Sequence, residues 1–482
     1  MPLPRGFLQQ LQKCLPAARV LSQDEDCAPF EADGLMMFRQ RPAVVVFPDN
    51  EDETIAIVNC CRRAGVPLVT RGAGTGLSGG ALPHKDGVLL VMTRMNRILS
   101  IDPKARTARA QPGVRNLELS EAARPHGLFY APDPSSQQAC SIGGNVSENS
   151  GGVRCLKYGL TVHCVCALRA ITAEGETIEI SADRPGGDFL ALLHGSEGLL
   201  AVITEITVRL SPLPELSLAV LAGFDSVRVA GDAVAAIVAE GVVPAGLEMM
   251  DKLATQAAED FTGAGYPTEC AALLIAEVDG RREDARRDMR RLSKILTAHG
   301  ANPLRRAKDD DERVLFWKGR KAAFPAVGRI RPDYYCMDGT IPRKHLGRTL
   351  SDIAALSEKY GLPCANVFHA GDGNLHPLIM YDGGKSGQAD RARRFGSEIM
   401  ALCISAGGTI TGEHGVGVEK IDDMCAQFSS AELEVFHSIK HAFDDSGFLN
   451  PGKAVPTLNR CAEFGAMHVR RGEERFPHLP RF

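Results

Sequence analysis

The chain lacks the cysteine spacing of a redox or zinc module. Its fourteen cysteines are scattered, with no CxxCxxC run and no paired CxxC, so neither an iron–sulfur cluster nor a cysteine-ligated zinc is expected. It lacks apolar runs of about 18 residues, which excludes a transmembrane helix. Met1-Pro-Leu-Pro-Arg-Gly6 has no apolar signal-peptide core, so reduced thiols and a cytoplasmic location are expected. An excess of basic residues is also missing: 55 Lys and Arg stand against 59 Asp and Glu, a net charge of −4. That argues against nucleic acid as a partner. Internal repeats and low-complexity segments are absent. At 482 residues the chain is too long for one core, and two or three domains are expected.

What is present is glycine, concentrated. Arg71-Gly-Ala-Gly-Thr-Gly-Leu-Ser-Gly-Gly80 follows the apolar run 66–70. Glycines at that density free the backbone to present its N–H groups to a ligand, and Arg71 adds charge where a diphosphate would lie. This stretch contains no Gly-Lys-Ser/Thr, and Gly72-x-Gly74-x-Gly76 overlaps only loosely with the dinucleotide fingerprint. A flexible turn between strands remains the plain alternative. More tight turns follow at 131–136, 140–146 and 149–152, and His194-Gly-Ser-Glu-Gly198 leads into an apolar strand at 200–208.

Around these turns the pattern predicts an N-terminal helix on Phe7, Leu8, Leu11 and Leu15. It also predicts a strand at 44–48, a helix capped by Asn50 with Glu53 at the capping-box position, and a helix from Asn116 to Ala123. Pro212 and Pro214 mark a domain boundary. Beyond it, strand patterns (218–223, 271–278, 334–341) alternate with helices (226–239, 280–299, 345–360). This suggests an α+β domain of antiparallel strands with helices on one face. The organisation expected is a helical segment at 1–40, a nucleotide-type domain at 41–214, a substrate domain at 215–410, a C-terminal segment at 411–455, and a tail at 456–482. That tail carries Arg470, Arg471, Arg475 and Arg481 and is either disordered or a docking element.

A second chemical centre is signalled by Asn366-Val-Phe-His-Ala-Gly-Asp-Gly-Asn-Leu-His-Pro377. Asp372-Gly373 is a two-residue hairpin turn. With that register 369 pairs with 376, placing His369 and His376 opposite each other with Cβ atoms about 5 Å apart. Glu413, in Thr411-Gly-Glu-His-Gly-Val-Gly417, would complete a two-histidine, one-carboxylate set suited to zinc, manganese or iron(II). His414 is then free to act as a base. A solvated turn is the alternative for this pair.

Together these residues resemble flavoproteins of the vanillyl-alcohol-oxidase type: the 71–80 loop, Pro132-Asp-Pro-Ser-Ser136, Gly143-Gly-Asn145 and Gly195-Ser-Glu-Gly198 match the FAD-binding domain. His369, His376, Gly412-Glu-His-Gly415 and Asn450-Pro-Gly-Lys453 resemble the 2-hydroxyacid dehydrogenase branch. Arg331-Pro-Asp-Tyr-Tyr-Cys-Met-Asp-Gly-Thr-Ile-Pro-Arg343 and Cys461-Ala-Glu-Phe464 are similar to the FAD-linked D subunits of bacterial glycolate oxidases. The resemblance covers roughly residues 25–460.

It implies a PCMH-type FAD-binding domain of two α+β subdomains and a ferredoxin-like α+β cap domain, with a C-terminal helical segment returning to the FAD domain. Arg71, Gly72, Ala73, Gly74, Thr75 and Gly76 would wrap the diphosphate of a non-covalent FAD. Pro132, Ser135, Ser136, Gly143, Gly144, Asn145, Gly152 and Tyr158 would continue the cofactor site. Gly195, Glu197, Gly198, Val202 and Ile203 would line the rest of it, with Asn450 and Lys453 returning nearby. The metal ligands implied are His369, His376 and Glu413, with His414 as base and Arg320 on the substrate carboxylate. The 2-hydroxyglutarate enzymes carry a lysine where Cys336 stands and an asparagine at Leu378, so a small monocarboxylate such as glycolate or D-lactate is implied. Hydride would pass to flavin N5. Electrons would leave to an iron–sulfur subunit, in a complex with a second FAD-domain subunit, and on to quinone at a membrane touched only peripherally. A stand-alone D-lactate dehydrogenase and a non-catalytic FAD-binding subunit are the rival readings.

Overall fold

The computed structural model describes residues 3–184, 187–457 and 461. The arginines of the tail and residues 462–464 lie outside the described residues. Among the described residues no helix is long and apolar enough to cross a membrane.

The first sheet orders its strands Val20–Leu21, Val44–Val46, Val88–Val91, Leu68–Arg71, parallel except for the first pair. The apolar triplet Val44–Val46 is wholly buried, as both-face burial of a parallel sheet requires. Helix Glu51–Ala64 starts where the Asn50 side chain accepts the Glu53 N–H, and stops at Gly65 with φ 61°. It lays Ile57, Val58 and Cys61 on the sheet, while Phe7 and Leu11 of helix Phe7–Cys14 join the same core. A second sheet, fully antiparallel, runs Ile98–Asp102, Thr107–Ala110, Val202–Arg209, Val165–Ile171, Thr177–Ser181. The predicted helix Asn116–Ala123 is found with those bounds. Residue 449 returns across the whole chain to bridge Leu68: Leu68 N–H donates to Phe448 and Asn450 N–H to Leu68, each at 2.8 Å.

The third sheet has seven antiparallel strands in the order Leu304–Arg306, Leu216–Phe224, Ala272–Gly280, Gly246–Asp251, Cys364–Phe368, Pro377–Tyr381, Asp333–Cys336. The α+β expectation holds, but the single helical face does not. Ala272–Asp279 is buried at every residue, so the strand is apolar on both sides and both must be covered. Helices Val227–Ala239, Arg282–Ala298, Leu346–Tyr360 and Gln388–Ser405 pack on one face, and Lys252–Thr262, Asp310–Lys321 and Ala323–Val327 on the other. The strand predicted to reach 341 ends at Cys336. Past Met337, Thr340 pairs instead with Thr409 and Asn374, which carries Asp338 beneath the 411–417 loop.

One cysteine expectation is also corrected. Cys425 and Cys461 are joined in a disulfide with Cα atoms 5.2 Å apart, and the other twelve are free. Their separation of 36 residues carries no pairing signal; only the return of the chain end brings them together.

Candidate active site

The two histidines meet, although not in the predicted register. His369 pairs with Asn374, and its N–H donates to the Asn374 carbonyl at 3.1 Å. Cys364–Phe368 then pairs with Pro377–Tyr381 through Asn366 opposite Pro377. The loop therefore spans four residues, 370–373, and the register is displaced by two. Gly373, at φ 84°, is pressed so closely on the Ile341 carbonyl that a Cβ would come within 2.2 Å of it. Since side chains alternate with period two, a two-residue shift keeps both histidines on one face. Their ring centroids are 5.0 Å apart at 84°.

Glu413 comes to them from the 411–417 loop. Its Oε1 lies 3.1 Å from His369 Nε2 and 3.3 Å from His376 Nε2, and one ligand atom from each lies within 4.8 Å of the others. His376 Nε2 is buried with no hydrogen-bond partner, which suits a ligand atom awaiting a cation. Burial would raise the Glu413 carboxyl, but His369, then His376 and His414, hold it down to about 2. Burial likewise opposes charge on His369, yet Glu248 and Glu413 raise it well above the usual imidazole range. A divalent cation would replace that proton.

Asp338, His376 and His414 form a second possible ligand group. Asp338 is already saturated, however. Fully buried, it accepts the N–H groups of Gly412, Glu413 and His414, the Thr411 hydroxyl and the Asn374 amide, and lies 3.4 Å from Lys420 Nζ. One carboxylate thereby folds the loop, and the His369–His376–Glu413 set fits a metal better. His414 is left stacked on His376, centroids 4.8 Å apart at 5°, with Nδ1 buried and unpartnered. Burial lowers it to about 4, so it is neutral near pH 7 and able to accept a proton.

Arg320 is 1% exposed at the end of helix Asp310–Lys321. Its Nε and Nη2 have no aligned hydrogen-bond partner, although Nη2 lies 2.6 Å from Glu248 Oε2. The unpartnered Nε suits a substrate carboxylate. Sequence reasoning missed Glu248, also 1% exposed, whose Oε1 is 2.8 Å from His369 Nδ1. The only signal was one acid in the apolar strand 246–250.

Beside this centre opens the cavity expected from the glycine loops. Gly72, Ala73, Gly74, Thr75 and Gly76 line it, with Ser135, Ser136, Gly143, Gly144 and Asn145 opposite, and Glu197, Gly198 and Ile203 further along. His376, Glu413, His414 and Phe324 line the same cavity. The loop packs tightly on its own neighbours: a Cβ on Gly72 would stand 2.2 Å from Ser141 Oγ, and one on Gly74 would strike the Arg71 guanidinium. Thr70 Oγ1 and Glu148 Oε2 are buried without partners on the same wall, as an FAD would satisfy.

Other expected residues stand behind the wall. Arg71 braces the loop from below, Nη1 donating to the Ala32 carbonyl at 2.7 Å. Asn450 and Lys453 both donate to the Gly80 carbonyl at 3.0 Å. Pro132 accepts from Asn116, Val202 is core, and Gly152 and Gly195 are positive-φ turns. Tyr158 is turned away, donating to Asp279 at 2.8 Å. Glu197 also accepts the Val416 and Gly417 N–H groups, each at 2.7 Å, which ties the catalytic loop to the cavity.

Comparison with known proteins identifies the family and the fold. Residues 42–181 match the family described as FAD binding domain, and 213–454 match FAD linked oxidases, C-terminal domain. Glycolate oxidase subunit GlcD of Escherichia coli (strain K12) is 56% identical over 480 residues, covering 99% of this chain and 96% of that one. A D-lactate dehydrogenase of Archaeoglobus fulgidus is 34% identical, covering 86% and 92%. Among solved structures, p-cresol methylhydroxylase with substrate bound superposes with a TM-score of 0.81 at 16% identity, covering 95% and 99%.

Proposed function

This chain belongs to the FAD-linked oxidase family, and on that premise we propose that it oxidises a small D-2-hydroxy acid, glycolate to glyoxylate and also D-lactate to pyruvate. One observation carries the reading. His376, Glu413 and His414 line the same cavity as the 72–76 glycines, which brings proton acceptor and electron acceptor to one space.

Bound FAD would supply the two-electron acceptor, and a divalent cation held by His369, His376 and Glu413 would supply a positive field beside the substrate hydroxyl. Arg320 holds the substrate carboxylate. His414 takes the hydroxyl proton at a ring nitrogen that burial keeps neutral. Cys336 and Leu378 are cross-strand partners, both buried in the core of the third sheet, where a lysine and an asparagine would mark a 2-hydroxyglutarate enzyme. Cys336 and Leu378 replace both of those residues, which supports a monocarboxylate substrate. Cys140 also lines the cavity, but burial raises its thiol, in keeping with non-covalent FAD.

Reduced flavin needs an outlet. With no paired CxxC in the chain, a separate iron–sulfur subunit takes the electrons within a complex that touches the membrane peripherally. A stand-alone D-lactate dehydrogenase is the second reading, supported by the Archaeoglobus relative; isolation of the native protein without an iron–sulfur partner would favour it.

Anaerobic bleaching of the visible flavin band tests the proposal. Glycolate or D-lactate should bleach it rapidly, chelation should slow this, and L-lactate and D-2-hydroxyglutarate should act poorly. His414→Ala should keep its flavin and lose turnover; substantial activity in that variant would sink the base assignment.

A further inference from the structure

We infer that Glu248 is a positioning residue that mounts the metal ligand and the substrate anchor on one carboxylate, so that filling either site tightens the other. The inference rests on the reading of His369 as a ligand and Arg320 as the carboxylate anchor. Glu248 sits in strand Gly246–Asp251, next to strand Cys364–Phe368, which delivers His369. Its Oε1 faces His369 Nδ1 at 2.8 Å and its Oε2 faces Arg320 Nη2 at 2.6 Å. All three side chains are 5% exposed or less. Burying a carboxylate there is costly unless its partners repay the lost hydration, and both partners are functional groups.

The consequence follows from what each oxygen can do. A carboxylate only accepts, so His369 must keep its proton on Nδ1 and aim the Nε2 lone pair at Glu413 and the cation. A divalent cation that replaces the Nε2 proton adds one unit of positive charge beside Glu248, and Oε1 is drawn more strongly to His369. That draws negative charge away from Arg320 and leaves its unpartnered Nε, and the Nη2 otherwise held by Oε2, freer for a substrate carboxylate. In the other direction, an anion on Arg320 relieves Oε2 and makes His369 the better ligand. The two affinities must change by the same factor, whichever site is filled first.

The test uses zinc and propionate, a carboxylate with no hydroxyl to reach the metal. Zinc affinity is measured on the flavin-loaded protein by competition with a chelator, with and without saturating propionate. In the unsubstituted chain propionate should tighten zinc about fivefold or more. Glu248→Gln keeps shape but loses the charge; with flavin content intact, its zinc affinity should fall about 10- to 100-fold and the propionate effect should shrink towards none. Glu248→Asp, which keeps the charge on a shorter arm, should recover part of both, as a merely space-filling role would not require. Zinc affinity and propionate coupling unchanged in Glu248→Gln would overturn the inference while leaving the proposed reaction standing. Absence of zinc binding in the unsubstituted chain would overturn the metal reading and the inference together.

Discussion

At the scale of single residues, the site depends on buried carboxylates that perform no chemistry themselves. Asp338 gathers three consecutive backbone N–H groups, a hydroxyl and an amide. Hydrogen bonds to a charged group are worth about 1.5–3 kcal/mol each. Asp338→Asn should therefore cut kcat by about 10- to 100-fold through misplacement of Glu413 and His414, while the flavin spectrum persists. Near-normal kcat would show that the loop holds its shape without it. Glu419 gives the pH prediction. Burial pushes its carboxyl up from 4.5 to about 7, against the pull of Lys420. The folded chain thus holds a proton that the unfolded chain has lost. This contribution is full below pH 4.5 and disappears as the pH rises through about 7. Glu419→Gln should flatten the fall in thermal midpoint between about pH 5 and pH 8; an equally steep fall would assign it to other groups. Of this centre, the histidines, Glu413 and Arg320 were legible because chemistry-bearing residues sit among glycines or in a matched motif. Glu248 was not, since one acid in an apolar strand has no spacing to announce its partners.

At the scale of elements, the sequence reading was strongest where local rules act alone. Asn50 caps its helix through Glu53, and Asn116–Ala123 keeps its predicted bounds. It failed where distant chain decides. The 366–377 hairpin takes a four-residue loop because Ile341 and Leu247 bind its backbone: Ile341 N–H donates to Gly373 and Gly371 N–H to Leu247, both at 3.0 Å. The glycine loop 72–76 offers a direct test. Gly74 has φ 71°, and a Cβ there would lie 2.1 Å from Arg71 Nη2, whose neighbour Nη1 is held by the Ala32 carbonyl. Gly74→Ala should purify with flavin well below stoichiometric amounts, and the loss should be reversed in part by added FAD. Full occupancy at purification would mean that the loop tolerates a side chain and was chosen for something else.

At the scale of the whole molecule, the segment around residue 450 ties distant parts of the chain together. Asn450 donates to the Gly80 and Glu197 carbonyls, and Cys461 is tied back to Cys425. Cys461→Ser should lower stability by about 2–4 kcal/mol under oxidising conditions, read as an earlier denaturation midpoint. It should leave the midpoint nearly unchanged after reduction. Equal midpoints under oxidising conditions would show that the disulfide adds nothing to the fold.

The Leu68–Leu449 bridge has a further consequence, in time rather than in space. Strand Leu68–Arg71 is the edge of the first sheet, and its cover is a segment that leaves the ribosome 381 residues later. At about 5–20 residues per second, that edge stands open for roughly 20–75 s in every molecule made. An uncovered edge of this kind is a template for pairing with another chain. A nascent chain therefore needs either chaperone shelter or dilution during synthesis, long before it has a flavin to hold.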